Sequence, residues 1–342
     1  MNETDGQGLS MQALATVENV RLVAQSPGLE PDKVRIAVTL PTFRRPEQVL
    51  DTIRSVAAQN TERGFALIVM ENDAERHAGA DAAAPLFENG TVNGLLIVAE
   101  ERGNCSAYNA GWSTALAAFA NLSHVLVIDD DEIAGPDWLE TMVATAERLG
   151  VDIVGGPQVP VFEGTGNDHW ADHPVFAPPY RETRAVEALY SSGNLLVSRR
   201  VLDAMERPFL EPAFNFMGGG DSDFLSRAAR KGFRLAWCAE APVMETIPAR
   251  RLESDWIRAR SLRNGVISTL VEKRRRAGDR LGAVRVAAKS LALLCAAPLR
   301  GVLNLARTGS FPIGAYPIYV ALGRVLAEFG YANEQYRQAE KN

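Results

Sequence analysis

Three consecutive aspartates, Asp129, Asp130 and Asp131, leave a short apolar run, His124 to Ile128. A β-branched run of this kind is expected to be a buried strand, and such strands in α/β sheets present their carboxyl ends to a ligand crevice. Carboxylates crowded there repel one another by about 1 kcal/mol per close pair even in water. A hard divalent cation bound through oxygen cancels that repulsion. Mg²⁺ characteristically takes one or two carboxylates and completes its shell with phosphate oxygens of the substrate. The triplet therefore points to a metal-bridged phosphate. The plain alternative is a polar strand-to-helix loop whose last acid caps the next helix. A second acidic pair, Asp221 and Asp223, follows Gly218-Gly219-Gly220 and opens a stretch closed by Arg230 and Lys231. Capping and the helix dipole account for acids at such a start and cations at its end.

The elements needed to position these groups are legible in the pattern. Val34–Leu40, Ala66–Met70, Leu95–Val98 and His124–Ile128 read as strands, and a further strand begins at Asp152. Helical periodicity follows Pro46, spans Cys105 to Phe119, and runs from Pro136 to Leu149. Strands alternating with helices imply βαβ units and a mainly parallel sheet, with Thr42, Asn72, Asp73 and the aspartates gathered at its carboxyl edge. Residues 157–187, rich in Pro, Gly and aromatics, read as a substrate-facing loop. Ala188–Val197 reads as a strand interrupted at Ser192-Gly193-Asn194, and Phe233–Trp237 as another. Three helices are expected at the end: Glu253–Arg276, Leu281–Arg307 with a break near Pro298, and Ala315–Phe329. The chain thus divides into a polar lead with a weakly helical stretch (1–32), an α/β domain (33–250, in halves 33–156 and 157–250) and a helical extension (251–342).

With 342 residues and 46% apolar content the chain can bury a full core. A net charge of −6 argues against nucleic acid as a partner. Cys105, Cys238 and Cys295 are odd in number and widely spaced, which fits neither a disulfide framework nor a structural zinc site, and suits a reducing compartment. The start, Met1 to Gly8, has no basic segment followed by an apolar one, so no signal peptide is expected. The apolar run Leu291–Leu299 is too short to span a bilayer.

Taken in order, Val38–Arg45, Glu71-Asn-Asp-Ala74, Gly103-Asn104 with Asn109 and Gly111, Ile128–Asp131 and Gly219–Phe224 resemble the family 2 glycosyltransferases over roughly residues 34–265. Asp129–Glu132 with Trp138-Leu139, Gly155-Gly-Pro157, Ser192-Gly-Asn194 and Glu245–Pro248 resemble, within that family, the bacterial succinoglycan-type glucosyltransferases. The resemblance implies a GT-A fold, a nucleoside-diphosphate sugar donor, inversion at the anomeric carbon, and Mg²⁺ or Mn²⁺. It implies that Pro41, Thr42 and Arg45 line the nucleotide pocket, and that Glu71 or Asp73 contacts base or ribose. Asn104 and Asn109 would face nucleotide and sugar, while Asp129, Asp130 and Asp131 would handle ribose, diphosphate and metal, the ion falling to Asp131 and Asp129. Asp221 matches the family's base, and Gly193, Asn194, Gly219, Gly220 and Asp223 would face the acceptor. Two departures stand out: Gly220 replaces the glutamate commonly found before the base, and no histidine lies beyond His173, with Glu245 in roughly the region where many members supply one.

The expected function is transfer of a hexose, foremost glucose from UDP-glucose, to a glycan or lipid-linked oligosaccharide in polysaccharide assembly. Between residues 281 and 307, Leu281, Val284, Leu291, Leu299 and Leu303 alternate with cations and no acid occurs, a composition suited to a bilayer interface. A cytoplasmic protein, peripheral on the inner face of the membrane, fits this, as does a helix packed on the domain or in a dimer. Competing readings are a catalytically silent nucleotide-sugar or glycan-binding module and an aspartyl-phosphate phosphatase. Nucleotide hydrolases and dehydrogenases are disfavoured by the missing GxxxxGK[ST] and GxGxxG motifs.

Overall fold

The computed structural model describes residues 16–331; Met1 to Gly8, read above for a targeting signal, lies outside the described residues. The strands in chain order are β1 (Val20–Gln25), β2 (Ile36–Thr42), β3 (Phe65–Glu71), β4 (Gly94–Ala99), β5 (His124–Ile128), β6 (Glu132–Ala134), β7 (Ile153–Gly155), β8 (Gln158–Phe162), β9 (Arg184–Val186), β10 (Asn194–Ser198), β11 (Leu235–Trp237) and β12 (Val243–Ile247). The helices are α1 (Pro46–Ala57), α2 (Ala78–Glu88), α3 (Asn104–Ala118), α4 (Trp138–Leu149), α5 (Arg199–Ala204), α6 (Gly220–Arg230), α7 (Ser254–Arg275), α8 (Gly282–Thr308) and α9 (Phe311–Glu328).

Nine strands form one sheet in the order β1-β4-β3-β2-β5-β10-β7-β11-β9. Its centre, β4-β3-β2-β5, is parallel, and β10 enters antiparallel between β5 and β7. These strands are apolar on both sides because a helical layer covers each face, and the buried residues fall into two clusters, one per face. A second sheet of β6, β12 and β8 sits at the carboxyl edge, immediately after the aspartates. The expected βαβ framework is present with small shifts of boundary.

Several elements differ from expectation, among them the short strand β9 inside the segment read as a loop. Val20–Gln25, inside the polar lead, is an edge strand antiparallel to β4. Helix α2 gave no clear amphipathic signal because Ala dominates it and Pro85 lies within it. The small sheet consists of strands of three to five residues, too short for a period to register.

The aromatic packing of α3 fixes where the second acidic pair goes. Trp112 is fully buried, with ring centroids 5.0 Å from Phe224 of α6 and 5.7 Å from Phe209. Emptying such a position costs about 3–5 kcal/mol, so α6 is firmly seated on α3. The C-terminal helices form an antiparallel layer in which α7 and α9 cross at backbone contact: a Cβ on Gly265 would lie 2.1 Å from the Val320 carbonyl oxygen, and one on Gly323 2.0 Å from that of Leu262. Helix α8 continues through Pro298 instead of breaking there, and is 27 residues long. It is long and apolar enough to cross a membrane, with mean hydropathy 1.5 in its best window, although Leu291–Leu299 alone gave no such expectation.

Candidate active site

A cleft of about 1440 Å³ opens at the carboxyl edge of the large sheet and extends between α6 and α7. It gathers Pro41, Thr42, Arg45, Asn104, Asp129, Asp130, Asp131, Gly193, Asn194, Gly219, Gly220 and Asp221, residues drawn from positions 41 to 221 of the chain.

Each aspartate of the triplet has its own surroundings. Asp130 is buried; it accepts hydrogen bonds from the Thr42 hydroxyl at 2.9 Å and the Phe43 N–H at 3.3 Å, and pairs with Arg45 at 2.6 Å. It therefore shapes the loop after β2, where Arg44 takes a left-handed backbone (φ 58°) that turns Arg45 back over the acids. Asp129 is half-buried and accepts a 2.6 Å hydrogen bond from the Tyr108 hydroxyl. Burial, and next the charge of Asp131, push its carboxyl up to about 7. Asp131 meets Arg45 at 2.9 Å and Arg251 at 3.6 Å. Glu132 is wholly buried and accepts from the Asp129 N–H at 2.8 Å and from the Gln158 amide at 2.5 Å; burial raises its carboxyl well above the usual range. Glu245, opposite Glu132 in the small sheet, pairs with Arg251 at 3.0 Å and is raised by burial and by Asp131.

Burial is the main cause of these raised carboxyls, and the charges of the neighbouring acids add to it. Among the described residues no three ligating side chains form a ready-made shell. The donor set nevertheless fits a cation of the Mg²⁺ or Mn²⁺ kind, which needs only one or two carboxylates, here Asp131 and Asp129, when a diphosphate supplies further oxygens.

Asp221 stands in the first turn of α6. Burial raises its carboxyl, while the backbone N–H groups of Ser222 and Ser192 and the charge of Arg260 oppose the rise. The next residue, Gly193, lies against the acids: a Cβ there would stand 2.7 Å from Glu132 Oε1 and 3.0 Å from Asp129 Oδ2. The Ser192-Gly193 segment thus couples Asp221 to the triplet. Gly220 also has a local cause, since a Cβ would lie 2.4 Å from the Cys105 sulfur. Cys105 occupies the room that a glutamate before Asp221 would take.

Four expected site residues lie outside the cleft lining. Glu71 is buried and accepts the N–H groups of Asp73, Gly79 and Ala80 at 2.8–3.0 Å, so it caps α2 instead of facing a nucleotide. Asp73 is buried against Arg44 at 2.6 Å. The Asn109 amide is spent on both backbone groups of Leu210, at 2.7 and 2.8 Å. Asp223 is locked between Arg227 at 2.8 Å and Arg274 at 2.9 Å. Asn194 touches the cleft, but its amide holds Trp138, Pro157 and Ala241. Residues not anticipated include Tyr108, Gln158, Arg251 and Trp256; the adjacent Arg250-Arg251 just past Glu245-Thr-Ile-Pro248 was the available signal for one of them.

The mixed α/β sheet with acids gathered at its carboxyl edge has the layout of the GT-A glycosyltransferases. The comparisons agree. Residues 37–205 match the model of "Glycosyl transferase family 2". The chain is 30% identical over 244 residues to the "Succinoglycan biosynthesis protein ExoM" of Rhizobium meliloti (strain 1021), covering 68% of this chain and 74% of that one. It is 32% identical over 217 residues to the "Glucosyl-dolichyl phosphate glucuronosyltransferase" of Haloferax volcanii, covering 62% of each. Among solved structures, S. aureus TarS in complex with UDP aligns over 87% of this chain and 91% of its own, with a TM-score of 0.50 at 13% identity, a likeness of fold. The chain belongs to glycosyltransferase family 2.

Proposed function

We propose that the chain is an inverting hexosyltransferase that moves glucose from a UDP-sugar, with Mg²⁺ or Mn²⁺, to a glycan or lipid-linked oligosaccharide during polysaccharide assembly at the cytoplasmic face of the membrane. The observation carrying this reading is the coupling of Asp221 to the aspartate triplet through Ser192-Gly193 within one cleft. The succinoglycan role in the name of ExoM supports a polysaccharide product.

The acceptor hydroxyl gives its proton to Asp221 as its oxygen bonds to the anomeric carbon, and the bond from that carbon to the diphosphate oxygen breaks on the opposite face. General-base assistance of this kind contributes about 10²–10⁴-fold. Burial keeps the Asp221 carboxyl more basic than a solvated one. Arg45, Arg251 and Arg260 surround the region where charge builds on the departing diphosphate. A cation held by Asp131 and Asp129, when bound, acts as a Lewis acid on that leaving group. The apolar outer face of α8 suits a membrane surface, where an acceptor with a lipid anchor resides.

Calorimetric titration with UDP-glucose, paired with an assay of UDP release in the presence of a lipid-linked acceptor extract, tests this. Binding with acceptor-stimulated UDP release is expected. Binding with no release under any acceptor would instead identify the silent binding module.

A further inference from the structure

Aromatic rings recur along the cleft lining, and several are already covered. Phe43 has the guanidinium groups of Arg44 and Arg102 over its ring, at 4.8 and 4.9 Å from the centroid. Trp256 stacks on Phe176 with the two rings 3° from parallel, and Arg251 stands 5.9 Å from its centroid. Trp237 is buried, its ring 5.7 Å from that of Tyr180. Tyr190 differs: it lines the same cleft and is 59% exposed. A large apolar ring left open inside a cleft is spare contact surface, because covering it releases free energy.

The ring is also held in place. Its hydroxyl is hydrogen-bonded to that of Tyr180, which donates in turn to the Ala188 carbonyl at 2.8 Å. The Tyr190 carbonyl accepts the Ser222 hydroxyl at 3.1 Å. Next along the chain, the Ser191 hydroxyl donates to Gln158 at 2.6 Å, and the Ser192 N–H bonds to Asp221. The segment 190–192 is thereby pinned to the first turn of α6, beside the base. At about 3.3 Å per residue of extended chain, Tyr190 stands within about 7 Å of Ser192, a reach that takes in the reacting sugar or the unit behind it. Ser222 and Ser226 are four residues apart on α6, hence on one face, and both line the cleft. Their small side chains leave room near the ring, and each hydroxyl keeps lone pairs for a further bond. A pyranose has a flat face of C–H groups and a rim of hydroxyls. A tyrosine face beside serine hydroxyls meets both, whereas a phosphate gains nothing from the ring.

Resting on the transferase reading above, we propose that Tyr190 is a specificity residue for the acceptor: its ring is the platform on which one pyranose unit stacks. The unit it favours has an unbroken C–H face, as a β-glucosyl unit does, and its rim hydroxyls bond to Ser222 and Ser226. Stacking fixes the plane of that sugar and so decides which hydroxyl meets Asp221.

The test uses the full chain saturated with UDP and two probes followed by saturation-transfer NMR: methyl β-glucoside, and sorbitol, which has similar hydroxyls but no rigid ring face. The glucoside should bind more tightly than sorbitol, with saturation concentrated on the hydrogens of one ring face. Its Kd should rise about tenfold in Tyr190→Ala and in Tyr190→Leu, which keeps an apolar side chain but no ring, and stay within about threefold of wild type in Tyr190→Phe. Because the side chain is largely exposed, circular dichroism and UDP binding should show an intact fold in all three variants. No binding of the glucoside to wild type, or an affinity unchanged within about twofold in Tyr190→Ala, would overturn the platform. Sorbitol bound as tightly as the glucoside would overturn the stacking assignment in favour of unspecific hydroxyl contacts. UDP release by the wild type is scored separately: its absence would end the transferase reading whatever the probes show.

Discussion

Replacing Asp221 with Asn separates the chemical role of this residue from its structural one. The side chain sits in the first turn of α6 and accepts the Ser222 N–H at 2.7 Å, a bond the Asn amide oxygen keeps. The carboxyl is raised by burial, so the sign is clear. An acid whose folded-state pKa lies above its unfolded value adds stability below the unfolded pKa and loses it as pH rises through the folded pKa. At pH 7.5 the ionised group is the penalised form, and Asn removes that penalty. The fold should therefore be as stable as wild type or slightly more so. Transfer should fall by about 10²–10⁴, the usual share of a general base, with UDP-sugar affinity within a few-fold of wild type. Thermal melts, donor titration and initial rates of UDP release with acceptor check the three parts. Retained transfer would remove Asp221 from the mechanism; lost transfer with a large drop in Tm would show that the residue holds the site together.

Further perturbations follow from the same geometry. Gly220→Ala should destabilise by about 1–3 kcal/mol because its Cβ meets the Cys105 sulfur, and adding Cys105→Ala should restore most of the loss in a urea melt. His173 is wholly buried against Trp170, Phe176 and Tyr316, and burial pushes it down to about 4. Its contribution is complete above about pH 6.5 and is lost as pH falls through about 4, up to roughly 3 kcal/mol. His173→Leu should flatten that acid limb of the stability curve. Val284→Glu with Leu291→Glu should abolish sedimentation with anionic vesicles while leaving Tm within about 2 °C, since both side chains are more than half exposed.

Legibility in the sequence followed the physics of each segment. The strands leading to Thr42 and Asp129 were readable because fully buried β-branched runs leave a strong signal, and the long helices α7 and α8 because their composition sustains a helix for many turns. The acid triplet was readable because carboxylates seldom crowd without a purpose. The edge strand β1 and the small sheet were not, since β1 is only partly buried and the small strands carry no continuous buried apolar run. Glu71 and Asn109 misled for a different reason: their residue types suit ligand contact and backbone capping equally. Only the fold shows the Glu71 carboxylate spent on Gly79 and Ala80, and the Asn109 amide on Leu210. Gly220 was legible as a departure from the family pattern, but its cause lies 115 positions earlier, at Cys105.

The crowded carboxylates at the end of β5 are proposed to hold the diphosphate of the donor through a divalent cation. Thermal shift with UDP-glucose, with and without Mn²⁺, in wild type and Asp131→Ala tests it most directly. The account predicts stabilisation of the wild type only when nucleotide sugar and metal are both present, and none in Asp131→Ala. Equal stabilisation with EDTA in place of metal, or an undiminished shift in Asp131→Ala, would contradict it.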